Sequence, residues 1–254
     1  YYLIEVLSVE TNAIKTSALK KRIYSQKEQT IDLNDWVFEK LEISNNSKIL
    51  ELCCGTGAQT KFLNKMMNGG SLDCVDINKE TIEENRKSVD KDSINYHVSD
   101  IDLVENYSPK HIDLIFSSYG FYYSKNPTYL HENLYKKLNK NGKFVLVGPV
   151  QGNNIELYEI MKMIGVKIND NVLYSSEKFM IDMEEIFLNY YSSVNFHRAL
   201  NKVQYDSADM LLNYWKNTTF YDNSKEQEFI TAVESYYSEN IVVTKSISYL
   251  EGIK

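Results

Sequence analysis

Proline and glycine are scarce in this 254-residue chain, at 3 and 10 residues. So few breakers argue against long linkers and low-complexity arms. Three cysteines, two of them adjacent at Cys53 and Cys54, supply neither a disulfide framework nor a four-cysteine zinc site. As free thiols they fit a reducing compartment. Long apolar runs are missing too: the best short one, Phe144 to Val147, is the size of a strand and far below a membrane-spanning helix. Positive charge is in deficit, with 28 Lys and Arg against 35 Asp and Glu, a net charge of −7. That balance is a poor start for a protein that must hold many phosphates, so no nucleic-acid partner is expected. The chain opens Tyr1-Tyr2, with neither a methionine nor a charged segment followed by an apolar one. It reads as a trimmed segment of a cytoplasmic protein with no membrane partner.

What is there is globular. Hydrophobic residues make up 43% and charged residues 25%, enough to exclude a wholly disordered chain. A chain this long buries roughly 70–75% of its unfolded surface and needs no metal or disulfide staple. Along it, the spacing Leu33, Trp36, Val37, Leu41 predicts a helix, and Lys48 to Cys53 a short apolar strand ending in Cys-Gly-Thr-Gly. Helical spacing resumes over 58–67 and stops at Gly69-Gly70. Strands follow at 71–77, 94–98, 112–117 and 143–147, with helices at about 79–89 and 127–139 and a turn at Asn141-Gly142. Strands alternating with helices imply parallel crossovers and a sheet covered on both faces. The rhythm then changes to helices at 153–164 and 176–190, a long strand at 193–205, helices at 208–216 and about 225–238, and a last strand at 241–249. The fold class is α/β: a three-layer Rossmann-like sheet with mostly parallel strands and a late antiparallel strand, in a single domain without internal repeats.

The strongest chemical signal is Ile49-Leu-Glu-Leu-Cys-Cys-Gly-Thr-Gly57, a strand running into a glycine turn and then a helix. Ligands of open parallel sheets bind outside the carboxyl ends of strands, where such a turn lets backbone approach them. Gly55 and Gly57 allow positive φ or close approach. Asp76 closes the second strand nineteen residues after Gly57, the place from which an acid accepts hydrogen bonds from two vicinal ribose hydroxyls. A nucleoside-bearing cofactor follows. The dinucleotide fingerprint wants a third glycine where Thr60 stands, so pyrophosphate has little support.

The run Glu51-x-Cys53-x-Gly55-x-Gly57 instead resembles the signature of class I S-adenosylmethionine-dependent methyltransferases. Asp76 matches that family's ribose-binding acid, and Ser99-Asp100-Ile101 its acidic third-strand tip near the adenine. His111 to Ser118 resembles the fourth-strand segment whose end faces the transferable methyl, and Leu138 to Val147 the entry to the fifth strand. The resemblance covers about 35–150. Cys53 departs from it, standing where the family usually has its first glycine. The resemblance implies S-adenosylmethionine as cofactor, S-adenosylhomocysteine as product, no metal, and a cofactor-binding set of Tyr24, Glu51, Cys53, Gly55, Gly57, Asp76, Ile77, Asp100, Ile101 and Ser117. It divides the single domain 1–254 into an N-terminal helical lid region (1–47), a cofactor-binding core (48–150), a lid insertion (151–175) and closing helices and strands (176–254).

A sulfonium methyl is already activated, so its transfer asks mainly for in-line geometry and exclusion of water. No triad is required, and no catalytic residue is assigned. Candidates for the acceptor side are Tyr119, Tyr122 and Tyr123 after the fourth strand, with His197 in the sixth. The expected function is methyl transfer to a small molecule at nitrogen, oxygen or carbon by a monomer or homodimer. An RNA or protein methyltransferase, and a non-catalytic nucleotide-binding relic of the fold, are the alternatives.

Overall fold

The computed structural model describes Asn12, residues 15–89 and residues 92–254. Its strands are β1 (Lys48–Leu52), β2 (Ser71–Asp76), β3 (Ile94–Val98), β4 (Ile112–Ser118), β5 (Leu138–Pro149), β6 (Ser193–Tyr205) and β7 (Ile241–Ile253). They form one seven-stranded sheet in the order β3-β2-β1-β4-β5-β7-β6. The pairs β1–β2, β1–β4, β2–β3 and β4–β5 are parallel. β7 runs antiparallel to β5. Asn141 N–H donates to the Lys254 carbonyl at 2.9 Å at one end, and Val150 N–H to the Ser246 carbonyl at 3.1 Å at the other.

The helices are α1 (Thr16–Ser25), α2 (Leu33–Phe38), α3 (Ala58–Met66), α4 (Lys79–Ser88), α5 (Pro127–Lys137), α6 (Ile155–Met163), α7 (Asp170–Leu173), α8 (Phe179–Tyr190), α9 (Ala208–Trp215) and α10 (Glu226–Tyr236). Their starts are chemically specified. Asp32, Asn78, Asn126 and Ser207 each cap a helix by accepting backbone N–H groups that the first turn leaves unpaired. Pro127 adds a preset φ at the first position of α5. No helix among the described residues is long and apolar enough to cross a membrane.

Contacts group the chain into two compact units that interleave in sequence. The first holds residues 32–149, 179–198 and 248–254; the second holds residues up to 31, 150–178 and 199–247. The boundary at 149/150 falls beside the expected start of the lid insertion. The expected N-terminal lid region includes residues 1–11, 13 and 14, which lie outside the described residues. Each unit has its own core. In the first, Leu50, Leu52, Ile115, Phe144, Phe179 and Phe187 are packed together with at most 1% exposure; in the second, Leu157, Val203, Leu211, Trp215, Phe229 and Val243 are fully buried. Each such side chain contributes roughly 1.5–3 kcal/mol by leaving water.

The starts of β5 and α8 differ from the sequence reading. β5 starts at Leu138, five residues before the expected strand, and Asn141-Gly142 is not a chain reversal. Asn141 has φ 62, and β4 pairs with β5 through a register shift between Ile112 and Leu114, so the glycine pair marks a bulge inside a continuous strand. α8 starts at Phe179 because Tyr174–Lys178 forms a π turn ahead of it.

Candidate functional site

The first unit collects the glycine turn and both strand-tip acids. β1 lies between β2 and β4 and is buried on both faces, which is why it reads as a near-continuous apolar run. The chain then turns through Cys53 (φ 55) and Gly55 (φ 55) to Gly57 (φ 89), the residue ahead of α3. Cys54 N–H donates to the Val75 carbonyl at 3.0 Å, which ties the turn to β2. Gly55 N–H donates to Asp76 Oδ2 at 3.0 Å, and Asn78 N–H to Asp76 Oδ1 at 2.9 Å. Each carboxylate oxygen has a further lone pair, so Asp76 stays able to accept two hydroxyls while it shapes the turn. Burial raises its pKa; the N–H groups of Asn78 and Gly55 oppose the rise.

Glu51 does not face the turn's open side. It is 2% exposed and accepts from Thr60 Oγ1 at 2.7 Å and from Cys74 Sγ at 3.5 Å. Burial pushes its pKa to about 8, so it is a neutral acid at pH 7 and acts as a strut. Thr60, standing where a dinucleotide site wants its third glycine, is the group that satisfies it. Asn85 was missed from the sequence. It is fully buried on α4 and donates to Thr60 Oγ1 at 2.9 Å and to the Gly55 carbonyl at 3.4 Å. Its amide fills the space a Cβ at Gly57 would take, 2.4 Å from Asn85 Oδ1. A polar residue three places after Ile82 on a helix's apolar face was the available signal.

Cys53 keeps its left-handed conformation because of another missed residue. A Cβ on Gly120, just after β4, would lie 2.2 Å from Cys53 Cβ. The glycine absent at 53 is matched by one at 120. Burial raises the thiol pKa of Cys53, Cys54 and Cys74, so none is a thiolate nucleophile at neutral pH.

At the neighbouring tip, Ser99 N–H donates to the Asp76 carbonyl at 3.0 Å, which brings β3's end beside β2's. Asp100 Oδ1 accepts Asp102 N–H at 2.9 Å, and Oδ2 lies 3.6 Å from the Nζ of exposed Lys125. Ile77 is exposed, whereas Ile101 is buried. Ser117 donates its hydroxyl to the Leu52 carbonyl at 3.2 Å and serves to join β4 to β1. Tyr119 (φ 54) follows β4 with its N–H on the Val147 carbonyl, and Tyr122 and Tyr123 pack ring to ring at 4.7 Å. His197 is not brought to this group. It sits exposed on β6, four strands from β1 in the sheet order, against the Tyr249 ring. Tyr24 belongs to the second unit, on α1, and is 68% exposed. Among the described residues no group of three or more His, Cys, Asp or Glu side chains is placed to hold a metal ion.

A glycine turn whose backbone is held by the acid at the tip of the next strand is the part of the structure that a family model for a methyltransferase domain matches, over residues 49–142. In that segment the chain is similar to the class I S-adenosylmethionine-dependent methyltransferases. S-adenosylmethionine is the cofactor of that family. Among curated relatives, malonyl-[acyl-carrier protein] O-methyltransferase 1 of Ilyobacter polytropus is 31% identical over 149 residues, 56% of this chain and 53% of the relative. The alignment thus spans about half of that relative. Malonyl-[acyl-carrier protein] O-methyltransferase 2 of the same organism is 29% identical over 218 residues, 80% of this chain and 81% of its own length. Among solved structures, the YcgJ protein from Bacillus subtilis superimposes with a TM-score of 0.62 at 14% identity, covering 87% of this chain and 97% of that chain. That likeness is one of fold.

Proposed function

We propose that this methyltransferase transfers the methyl of S-adenosylmethionine to a carboxylate oxygen of a small acyl thioester. The observation that carries the cofactor half is the turn itself: Gly55 N–H on Asp76, with lone pairs to spare on both carboxylate oxygens. Asp76 would hold the ribose hydroxyls, and Asp100, with exposed Ile77, would hold the adenine end. When bound, the cofactor supplies an electrophilic methyl whose C–S electrons return to sulfur as the acceptor oxygen's lone pair forms the new C–O bond.

The acceptor half draws support from the β4 exit. Residues 117–126 hold no histidine or acid that would serve as a general base. Nearby Asp102 is committed, accepting from the Ser124 hydroxyl and, at 2.9 Å, from Lys125 N–H. A carboxylate needs no base, because it is already ionised at neutral pH. The curated relatives' acceptor, a malonyl group on a carrier protein, is of this class. Tyr122 and Tyr123 are proposed to wall the acceptor against water.

The test is direct. The protein is incubated with S-adenosylmethionine and malonyl-coenzyme A, with acetyl-coenzyme A as the control lacking a free carboxylate. Mass spectrometry should show a methyl ester on the malonyl thioester, S-adenosylhomocysteine in equal amount, and neither with the acetyl control. Methylation of bulk RNA with none on acyl thioesters would reject the assignment.

A further inference from the structure

The second unit buries a cation that no carboxylate among the described residues pairs with. Lys245 on β7 is 7% exposed. Its ammonium donates to Asn154 Oδ1 and to the Tyr214 hydroxyl at 2.8 Å, and lies 4.2 Å from the centre of the Tyr214 ring. Among the described residues no carboxylate stands within ion-pair distance of it. Glu156, on the facing segment, is occupied by the Thr244 N–H at 2.8 Å and the Thr244 hydroxyl at 2.5 Å. A buried charge is costly unless it is paired as well as hydrogen-bonded, and here both partners are neutral.

The surroundings are rich in donors and poor in acceptors. Lysine brings three N–H donors and no acceptor. Ser176, 4% exposed, receives the Asn153 amide and the Tyr158 hydroxyl, both at 2.9 Å. The Tyr205 hydroxyl, in a residue 2% exposed whose ring lies 6.1 Å from that of Tyr214, is buried without a partner. The backbone holds the cluster in register. Val150 N–H on the Ser246 carbonyl and Asn154 N–H on the Thr244 carbonyl fix the segment after β5 on either side of Lys245. Gly152 (φ 90) and Asn154 (φ 57) bend that segment through left-handed conformations. Segments that follow the carboxyl ends of parallel strands are where open α/β sheets take their ligands.

We propose that Lys245, Tyr214 and Asn154 form a binding site for a small carboxylate within the second unit. The third Lys245 N–H and the Tyr214 hydroxyl make charge-assisted hydrogen bonds to the anion, and Asn154 keeps the ammonium aimed.

Calorimetry of the full chain with malonate, and with malonamide as the neutral isostere, reads the subsite without turnover. Wild type is expected to bind malonate and not malonamide. Lys245→Met should weaken malonate binding tenfold or more, Lys245→Arg should retain part of it, and S-adenosylmethionine affinity should stay within twofold in both. Equal binding of the two probes, no binding of malonate to wild type, or undiminished binding to Lys245→Met overturns the proposal. Should Lys245→Met fail to fold by circular dichroism, Tyr214→Phe decides: it keeps ring and lysine and should lose threefold or more, and unchanged affinity overturns the subsite. Malonate binding with no methylation of malonyl-coenzyme A would sink the proposed reaction while leaving the subsite standing.

Discussion

Gly120→Ala tests how the chain tolerates a cysteine in its glycine turn. The new methyl would sit 2.2 Å from Cys53 Cβ and 2.7 Å from Cys53 Sγ. Carbon atoms in contact settle at about 3.5–4.0 Å, so the two segments must part by more than about 1 Å. Gly120 has φ −140, which alanine adopts freely, so the strain is purely steric. Neither segment yields easily. The turn is held by Cys54 N–H on Val75, and the β4 exit by Tyr119 N–H on Val147 at 2.8 Å and Ser117 on Leu52. Overpacking of this kind costs about 1–3 kcal/mol. Spread over a chain of this size, that lowers Tm by roughly 2–12 °C. A displaced Cys53 carries Gly55 off Asp76, so S-adenosylmethionine affinity by calorimetry should fall on the order of 10–100-fold. The decisive variant adds Cys53→Gly. With Cβ and Sγ gone, the next atom facing the added methyl is Ser117 Oγ at 3.6 Å, an ordinary contact. The double variant should recover most of the lost affinity and melting temperature, with a coupling of at least about 1 kcal/mol between the sites. If Gly120→Ala alone binds within twofold of wild type, or if Cys53→Gly brings no rescue, the compensation argument is wrong.

Asp76→Ala removes the acceptor proposed for the ribose and leaves the Gly55 and Asn78 N–H groups unpaired, so cofactor binding by calorimetry should weaken by about 1.5–3 kcal/mol. Glu51→Gln should be nearly silent at low pH and increasingly stabilising as pH rises. The folded pKa of about 8 exceeds the unfolded value of 4.5, so Glu51's contribution is fully present below pH 4.5 and is lost as pH climbs through 8. Urea melts at pH 5 and pH 8.5 should therefore show the variant gaining several kcal/mol on wild type at the higher pH, since each pKa unit is worth about 1.4 kcal/mol; a pH-independent difference would refute a neutral buried Glu51.

What could be read from the sequence, and what could not, divides by the range of the interaction. β1, its glycine turn and Asp76 were legible because each is specified within a few residues: an apolar run buried on both sides, glycines that tolerate positive φ, and an acid ending the next strand. The Cys53 departure has no remedy nearby in the sequence, because its partner Gly120 lies on a different strand's exit, and nothing near either residue marks the pairing. Asn141-Gly142 carries turn chemistry, yet the chain stays extended there because Asn141 N–H and the Gly142 carbonyl are both taken by Lys254, more than a hundred residues on. Lys245 is the sharpest instance. In the alternating run from Ile241 to Tyr249 the lysine falls in phase with Val243 and Ile247, on the apolar face, yet nothing local names the groups that receive its ammonium. Its burial depends on Asn154 and Tyr214, supplied by a loop and a helix that no local pattern connects to β7. The cofactor turn is thus written in local sequence, and the proposed carboxylate site is written in contacts between distant segments. That asymmetry follows from the chemistry. A nucleoside cofactor asks every such domain for the same turn and acid, whereas an acceptor is recognised by side chains whose only shared property is where the chain brings them.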